Sequence, residues 1–131
     1  MKVIDAVCHC GQVRLRLPRK PRVITACNCS FCRRQAPIFA YYTRRSVEVI
    51  APDNAFERYV WGKGVLTWLR CRNCGCFTHH IPAHAEDDLD RRTGINLRLV
   101  DPGLLAGITV KLRDGASGRW KVLSSYRFGA A

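Results

Sequence analysis

The sequence is organised around residues 27–34, which read Cys-Asn-Cys-Ser-Phe-Cys-Arg-Arg. This C-x-C-x2-C spacing can place three thiolates on one metal ion, and Arg33 and Arg34 set fixed positive charge beside it. Structural zinc sites usually have four protein ligands, whereas catalytic zinc sites commonly have three and leave one position for water or substrate. The stretch therefore predicts a metal site that is one protein ligand short.

Two further cysteine pairs lie at the ends of predicted strands. The first pair, Cys8 and Cys10, occupies a C-x-C-G turn, and the second pair, Cys71 and Cys74, forms a C-x2-C-G knuckle. Each pair supplies two ligands, so together they predict a four-cysteine site that joins the first hairpin to the middle of a sheet. The alternative is that one pair consists only of buried thiols, because cysteine is also a common core residue.

The hydrophobic pattern outside the cysteines predicts strand after strand. Val13, Leu15 and Leu17 alternate with polar residues, and residues 3–7 are a plausible hairpin partner across a turn at Gly11. Gly11 can take the positive φ that such a turn needs. We expect a mostly β domain with at most short helical turns, at 30–35 and 101–106. The further strands are expected at 22–27, 38–43, 47–51, 56–61, 65–71, 77–81, 95–100, 108–113 and 122–126.

Length and composition narrow the class of protein. A length of 131 residues predicts a single domain over residues 1–131, and the cysteine motifs make it a zinc-binding one. The N-terminal residues 1–5 show no basic segment followed by an apolar run, and no stretch of about eighteen apolar residues occurs. We therefore expect a cytoplasmic protein without a membrane segment. In that reducing compartment its eight cysteines are more often zinc ligands than disulfide partners.

The charge balance is strongly basic, since 22 Lys and Arg against 10 Asp and Glu give a formal net charge of +12. Such a field attracts nucleic acid or an acidic partner, and it equally steers a small anion into a cleft. One hypothesis is therefore a zinc-stapled basic binding module without catalytic activity. No RNA-binding aromatic motif or zinc-finger histidine pair supports its nucleic-acid version.

The order of the cysteine motifs resembles that of a known family. The chain contains C-x-C-G, then C-x-C-x2-C-R-R, then C-x2-C-G, and a late tryptophan after a glycine-rich turn, Gly118-Arg119-Trp120. Over nearly the whole chain this resembles the glutathione-dependent formaldehyde-activating enzyme family, also called the GFA or centromere-protein-V type domain. The resemblance implies a β-tent fold and carbon–sulfur lyase activity that joins formaldehyde to glutathione or reverses that step.

The resemblance also implies two zinc sites. One is a structural zinc held by Cys8, Cys10, Cys71 and Cys74, and the other is a catalytic zinc held by Cys27, Cys29 and Cys32. The implied partners are a thiol such as glutathione and a small aldehyde such as formaldehyde. A zinc ion with three thiolates and an open position could bind the glutathione sulfur or polarise the aldehyde oxygen. Arg33 and Arg34 could hold the glutathione carboxylates.

The fourth position at the three-cysteine site has several candidates. Cys76 follows the knuckle and could compete as a ligand or simply pack as a thiol. His79 and His80 point to opposite faces if they lie on a strand, so at most one can face the metal site, as a ligand or a proton shuttle. The remaining candidate is the sulfur of a thiol substrate.

Overall fold

The computed structural model describes residues 3–129 and confirms the mostly β fold. Met1 and Lys2, from the N-terminal stretch discussed above, lie outside the described residues, as do Ala130 and Ala131. No helix within residues 3–129 is long and apolar enough to cross a membrane. The strands and the α-helix of this range are β1 (Ile4–Val7), β2 (Arg14–Leu17), β3 (Ile24–Cys27), α1 (Ser30–Gln35), β4 (Ile38–Thr43), β5 (Glu48–Ile50), β6 (Phe56–Val60), β7 (Leu66–Cys71), β8 (Phe77–Pro82), β9 (Arg92–Asn96), β10 (Thr109–Arg113) and β11 (Val122–Arg127).

The first hairpin forms as the alternating pattern predicts. Strands β1 and β2 pair antiparallel from Ile4 opposite Leu17 to Val7 opposite Arg14. Gly11 in the connecting turn has a φ of +83°, a conformation that costs glycine little because it has no Cβ. Strand β5 pairs antiparallel with β2 and completes a three-stranded sheet in the order β1-β2-β5. The turn that carries the first cysteine pair therefore lies at the end of this small sheet.

The remaining strands form an eight-stranded sheet in the order β11-β10-β3-β4-β9-β8-β7-β6. The neighbours pair antiparallel except β3 and β10, which are parallel with Cys27 beside Arg113. A parallel pair needs a long crossover, and here that crossover includes most of the other strands. This pairing brings the end of the chain next to the C-x-C-x2-C stretch.

Helix α1 is a short helix that begins at Ser30 and ends at Gln35, where the sequence predicts a single helical turn. Its N-cap is Cys29, whose sulfur accepts a hydrogen bond from the Cys32 backbone N–H. Ala36, the residue after the helix, has a left-handed backbone with a φ of +54°. Because Pro37 disfavours a helical conformation in the residue before it, the helix cannot continue.

The prediction of a strand at 95–100 is only partly correct. Strand β9 ends at Asn96, and Leu97–Leu99 form a 3-10 helix. The Asn96 side chain accepts a hydrogen bond from the Arg98 N–H at 3.1 Å, which turns the backbone out of the sheet. The helix expected at 101–106 is reduced to a 3-10 turn at Pro102–Leu104, which is capped by Asp101.

The main core joins apolar side chains of both sheets. Ile4 and Leu15 from the small sheet belong to one buried cluster with Ile24, Ile38 and Ile95 from the large sheet. Complete burial of one such side chain stabilises the fold by about 1.5–3 kcal/mol. A second, mainly aromatic cluster forms around Phe39, Trp68, Phe77 and Cys32. The three-cysteine stretch packs against this second cluster.

Candidate metal centres and the adjoining cavity

The four-cysteine cluster comprises Cys8, Cys10, Cys71 and Cys74, whose sulfurs lie within 4.8 Å of one another. The Cys10 sulfur lies 3.6 Å from that of Cys8 and 3.6 Å from that of Cys71. These distances exceed a disulfide bond of about 2.05 Å. They approach the sulfur separation of about 3.8 Å in a tetrahedron with Zn–S bonds of about 2.3 Å. The donor set therefore fits a tetrahedral zinc ion with no coordination position left open.

Backbone N–H groups support the sulfurs of this cluster. The Val13 N–H donates to Cys8 Sγ at 3.3 Å, and the Cys74 N–H donates to Cys71 Sγ at 3.5 Å. Hydrogen bonds of this kind favour the thiolate form, which is the form that binds metal. Both half-sites therefore have the turn geometry of metal-binding knuckles.

Cys76 lies beside the four-cysteine cluster and belongs to neither group of converging sulfurs. Its carbonyl accepts a hydrogen bond from the Cys71 N–H at 2.9 Å, and its side chain packs against the main core. Burial raises the pKa of the Cys76 thiol. Cys76 therefore lies beside the four-cysteine cluster and is not the fourth ligand of the three-cysteine site.

The three-cysteine cluster comprises Cys27 at the end of β3, Cys29 at the N-cap of α1 and Cys32 within the helix. Their sulfurs also lie within 4.8 Å of one another. The Cys29 N–H donates to Cys27 Sγ and the Cys32 N–H donates to Cys29 Sγ, each at 3.4 Å. The strand-to-helix turn alone therefore converges three sulfurs on one point, as the spacing predicts.

The thiols of this cluster differ in acidity. The interaction with the Cys32 thiol, together with backbone N–H groups of Cys29 and Gly115, lowers the pKa of Cys27 to about 6. Its interaction with Cys27 and its burial raise the pKa of Cys32. The cluster therefore loses a proton more readily from Cys27 than from Cys32. A metal ion would displace the Cys32 proton on binding.

A cavity of about 970 Å³ opens directly on the three-cysteine cluster. Its lining includes five aromatic side chains together with His80, and three cationic side chains also line it. The four-cysteine cluster contributes nothing to this cavity. The lining includes Cys27, Cys29, Cys32, Phe39, Tyr41, Trp61, Trp68, His80 and Trp120, with Lys63, Arg91 and Arg92 as the cations.

His79 and His80 point to opposite sides of β8, as the strand pattern predicts. His80 lines the cavity, whereas His79 lines a smaller pocket on the other side. Burial lowers the pKa of His79 to about 3 and that of His80 to about 4, so both are neutral at pH 7. The Thr78 hydroxyl donates to the Leu69 carbonyl at 3.1 Å and so accepts from His79 Nδ1 at 2.8 Å. His80 Nδ1 is buried without a partner.

Comparison with known proteins identifies the family. The sequence model described as glutathione-dependent formaldehyde-activating enzyme, or GFA, matches residues 3–104. The chain belongs to the GFA family. A crystal structure of a Rhodobacter sphaeroides protein is similar to this chain, with a TM-score of 0.61 and 27% sequence identity over 74% of this chain and 87% of that chain. No curated protein matches the sequence.

The GFA match ends at residue 104, yet residues 114–120 also border the three-cysteine cluster. A Cβ added to Gly115 would lie 2.3 Å from Cys27 Sγ and 3.3 Å from the Trp120 ring. Real Cβ atoms do not approach other atoms so closely, so only glycine fits here. The loop backbone therefore passes directly against the Cys27 sulfur.

Asn28, between two of the cysteines, holds this loop in place. Its side-chain N–H donates to Asp114 Oδ1 at 3.0 Å, and its oxygen accepts from the Ala116 N–H at 2.9 Å. The C-x-C spacing treats Asn28 as an interchangeable position, so sequence analysis missed this role. The only signal toward the loop was its glycine-rich turn before Trp120.

The arginines that the sequence predicts at the site are not the ones that line the cavity. Arg33 and Arg34 are exposed on α1, and Arg34 donates to the Ser30 carbonyl at 2.9 Å. Neither lines the cavity. Arg92 does, with its guanidinium 4.8 Å from the Tyr41 ring centroid. Sequence analysis missed this residue because no motif connects residue 92 with the cysteines.

Proposed function

We propose that this chain is a zinc-dependent carbon–sulfur lyase that joins a thiol to a small aldehyde or reverses that step. The observation that carries the proposal is the three-cysteine cluster, which is one ligand short of a closed site and borders a cavity. The family name supports glutathione as the thiol and formaldehyde as the aldehyde. In this proposal the chain is one domain with a structural zinc at the four-cysteine cluster and a catalytic zinc at Cys27, Cys29 and Cys32.

The donor set of the three-cysteine cluster suits zinc. A zinc ion held there would supply Lewis acidity and favour the thiolate form of a substrate thiol at neutral pH. The residues of the chain supply the surroundings. Cys27 Sγ already accepts a hydrogen bond from the Cys29 N–H, and the cavity beside the cluster leaves room for a substrate thiol to approach it.

The proposed reaction is a simple addition. The thiol sulfur forms a bond to the aldehyde carbon, the C=O π bond breaks, and the thiol proton ends on the resulting hydroxyl oxygen. The reverse direction breaks the same S–C bond and returns the proton to sulfur. No oxidant, reductant or further co-reactant is needed.

Glutathione carries two carboxylates and a net negative charge, so the proposed site needs cations. We assign this role first to Lys63, Arg91 and Arg92, because they line the cavity. Arginine suits bidentate pairing with a carboxylate. Arg33 and Arg34, proposed from the sequence, could contribute only from outside the lining.

Substitution Cys29→Ser tests the proposal. Loss of one of three ligands should lower adduct formation from glutathione and formaldehyde by at least about a hundredfold, the upper range for residues that only support a ligand. The variant should keep a cooperative thermal transition and one zinc per chain, compared with two in the wild type. Zinc stoichiometry, melting by circular dichroism and an adduct assay measure these effects.

Cys76→Ser is the matched control, because it also removes a thiol but lies outside both groups of converging sulfurs. It should keep two zinc ions and full turnover. Full activity in Cys29→Ser would contradict the proposal. Binding of DNA or RNA that weakens steeply with salt would then favour the basic binding module instead.

A further inference from the structure

The cavity beside the three-cysteine cluster is much larger than a one-carbon aldehyde needs. Its volume of about 970 Å³ leaves room for both glutathione and an aldehyde with a sizeable body. The walls nearest the cysteines are rings, since Cys27, Cys29 and Cys32 belong to the same cluster as Phe39, Trp61 and Trp68. Volume and wall chemistry thus both favour a larger second substrate.

The rings surround the cavity as a connected group. The ring centroids of Trp68 and His80 lie 4.9 Å apart, those of Trp61 and Trp68 lie 6.1 Å apart, and those of Phe39 and Trp68 lie 6.2 Å apart. Aromatic rings pack favourably with a further ring in stacked or edge-to-face geometry. A planar apolar group fits such walls better than a flexible polar chain does.

Two polar atoms on these walls lack a hydrogen-bond partner. They are Trp61 Nε1 and His80 Nδ1, the only buried side-chain nitrogen or oxygen atoms of residues 3–129 in this condition. Both side chains line the cavity, and His80 is only 7% exposed. A buried polar group without a partner costs free energy. Neither nitrogen is exposed to the cavity, so the walls offer a ligand their rings there and not these polar atoms.

Positive charge accompanies the aromatic walls. Lys63, Arg91 and Arg92 line the cavity, and the one acidic residue in the lining, Asp90, is paired with Arg45 at 3.0 Å. The guanidinium of Arg92 stacks near Tyr41, which leaves its N–H groups available to an anion. Ligands with a carboxylate are therefore favoured over neutral ones.

We propose that this site takes an anionic aromatic aldehyde, with its ring packed against Trp61 and Trp68 and its carboxylate at Arg91 and Arg92. This inference rests on the proposed function, because it assigns the aldehyde of the same addition to glutathione. The sulfur–carbon bond and the proton transfer are those described above.

Stable thioether analogues of the adduct test the inference without turnover. S-(4-carboxybenzyl)glutathione and S-carboxymethylglutathione carry the same charge and differ by the ring, whereas S-benzylglutathione keeps the ring and lacks the added carboxylate. Calorimetry on the zinc-loaded protein should show the carboxybenzyl analogue binding about tenfold more tightly than the carboxymethyl one, given the affinity that ring packing adds. Equal affinities would overturn the inference.

Variants of the cavity walls show whether the ring and the charge act where we assign them. Trp61→Ala should remove most of the carboxybenzyl preference, and Trp61→Phe, which keeps a ring without the N–H, should retain much of it if the alanine variant folds poorly. Arg92→Gln should weaken both analogues with the added carboxylate more than it weakens S-benzylglutathione, which carries only the carboxylates of glutathione itself. Arg22→Gln, an exposed arginine outside the cavity, should change nothing. A preference unchanged by both Trp61 variants would contradict the assignment.

The outcomes separate this inference from the proposed function. If Cys29→Ser abolishes addition of glutathione to formaldehyde but the analogues bind equally, the function stands and the aromatic substrate is wrong. If no analogue binds and the wild type forms no adduct, both are wrong.

Discussion

Both clusters consist of cysteine thiols, but the residues that surround them differ. The four-cysteine cluster joins two turns, and its member Cys71 is completely buried next to the main core. The three-cysteine cluster packs against the aromatic cluster and borders a cavity of about 970 Å³. A complete set of four sulfurs at the edge of the core suits a structural role, whereas a set of three beside a cavity leaves room for a substrate.

The largest effect is expected from removing one cysteine of the four-cysteine cluster. Cys71→Ser should remove its zinc and abolish cooperative folding, because structural zinc sites contribute on the order of 10 kcal/mol. That is comparable to the whole net stability of a typical domain, about 5–15 kcal/mol. Circular dichroism melting and zinc stoichiometry measure the effect. A Cys71→Ser protein that melts like the wild type with two zinc ions would show that the clusters do not differ as we argue.

An intermediate effect is expected at the 114–120 loop, which lies against the three-cysteine cluster. Gly115→Ala adds a Cβ at 2.3 Å from Cys27 Sγ, so either the loop or the sulfur must move. We expect zinc at the three-cysteine cluster to bind about 10–100-fold more weakly, as for other residues that orient a ligand. Competition with a chelator measures the zinc affinity of each cluster. The melting temperature reports on zinc at the four-cysteine cluster.

Gly103→Ala provides the comparison for that variant. Its added Cβ would meet only Asp101 Oδ1, at 3.4 Å, so both zinc affinities should remain unchanged. If Gly115→Ala also lowered the zinc affinity of the four-cysteine cluster, the two clusters would not be independent as we argue.

The smallest expected effect is on the pH dependence of stability, and it arises from the histidines on the two faces of β8. The folded protein lowers the pKa of His79 to about 3 by burial, against about 6.5 in an unfolded chain. Below pH 6.5 the unfolded state therefore binds a proton that the folded state does not, and stability falls as pH falls toward 3. His79→Gln should reduce this slope by up to one proton, about 1.4 kcal/mol per pH unit.

Urea unfolding of wild type and variant between pH 7 and pH 4.5 measures the difference, in which acid effects on the metal sites largely cancel. His79→Gln should leave binding of the glutathione analogues unchanged, because His79 does not line the cavity. His80→Gln should change both the slope and the binding. Equal slopes in wild type and His79→Gln would show that burial of His79 is not maintained in solution.

Much of the fold followed from local pattern. Alternating residues predicted the hairpin of β1 and β2, and turn residues separated the later strands close to their observed bounds. The failure at residues 97–99 arose from one side chain, since the hydrogen bond from Arg98 to Asn96 ends the strand early. Such a side-chain bond leaves the apolar alternation of the sequence unchanged, so periodicity could not reveal it.

The sequence by itself determined that each of the stretches 8–10, 27–32 and 71–74 brings its own sulfurs together, because thiols separated by one or two residues meet through a local turn. It predicted that the two pairs combine, and it left several candidates for the fourth position of the three-cysteine group. Tertiary structure alone decided what surrounds that group. The parallel pairing of β3 with β10 places Gly115 against Cys27, and the folding of β4, β7 and β8 brings the aromatic walls and His80 to the same cavity. These contacts join residues far apart in the chain, so no local spacing records them.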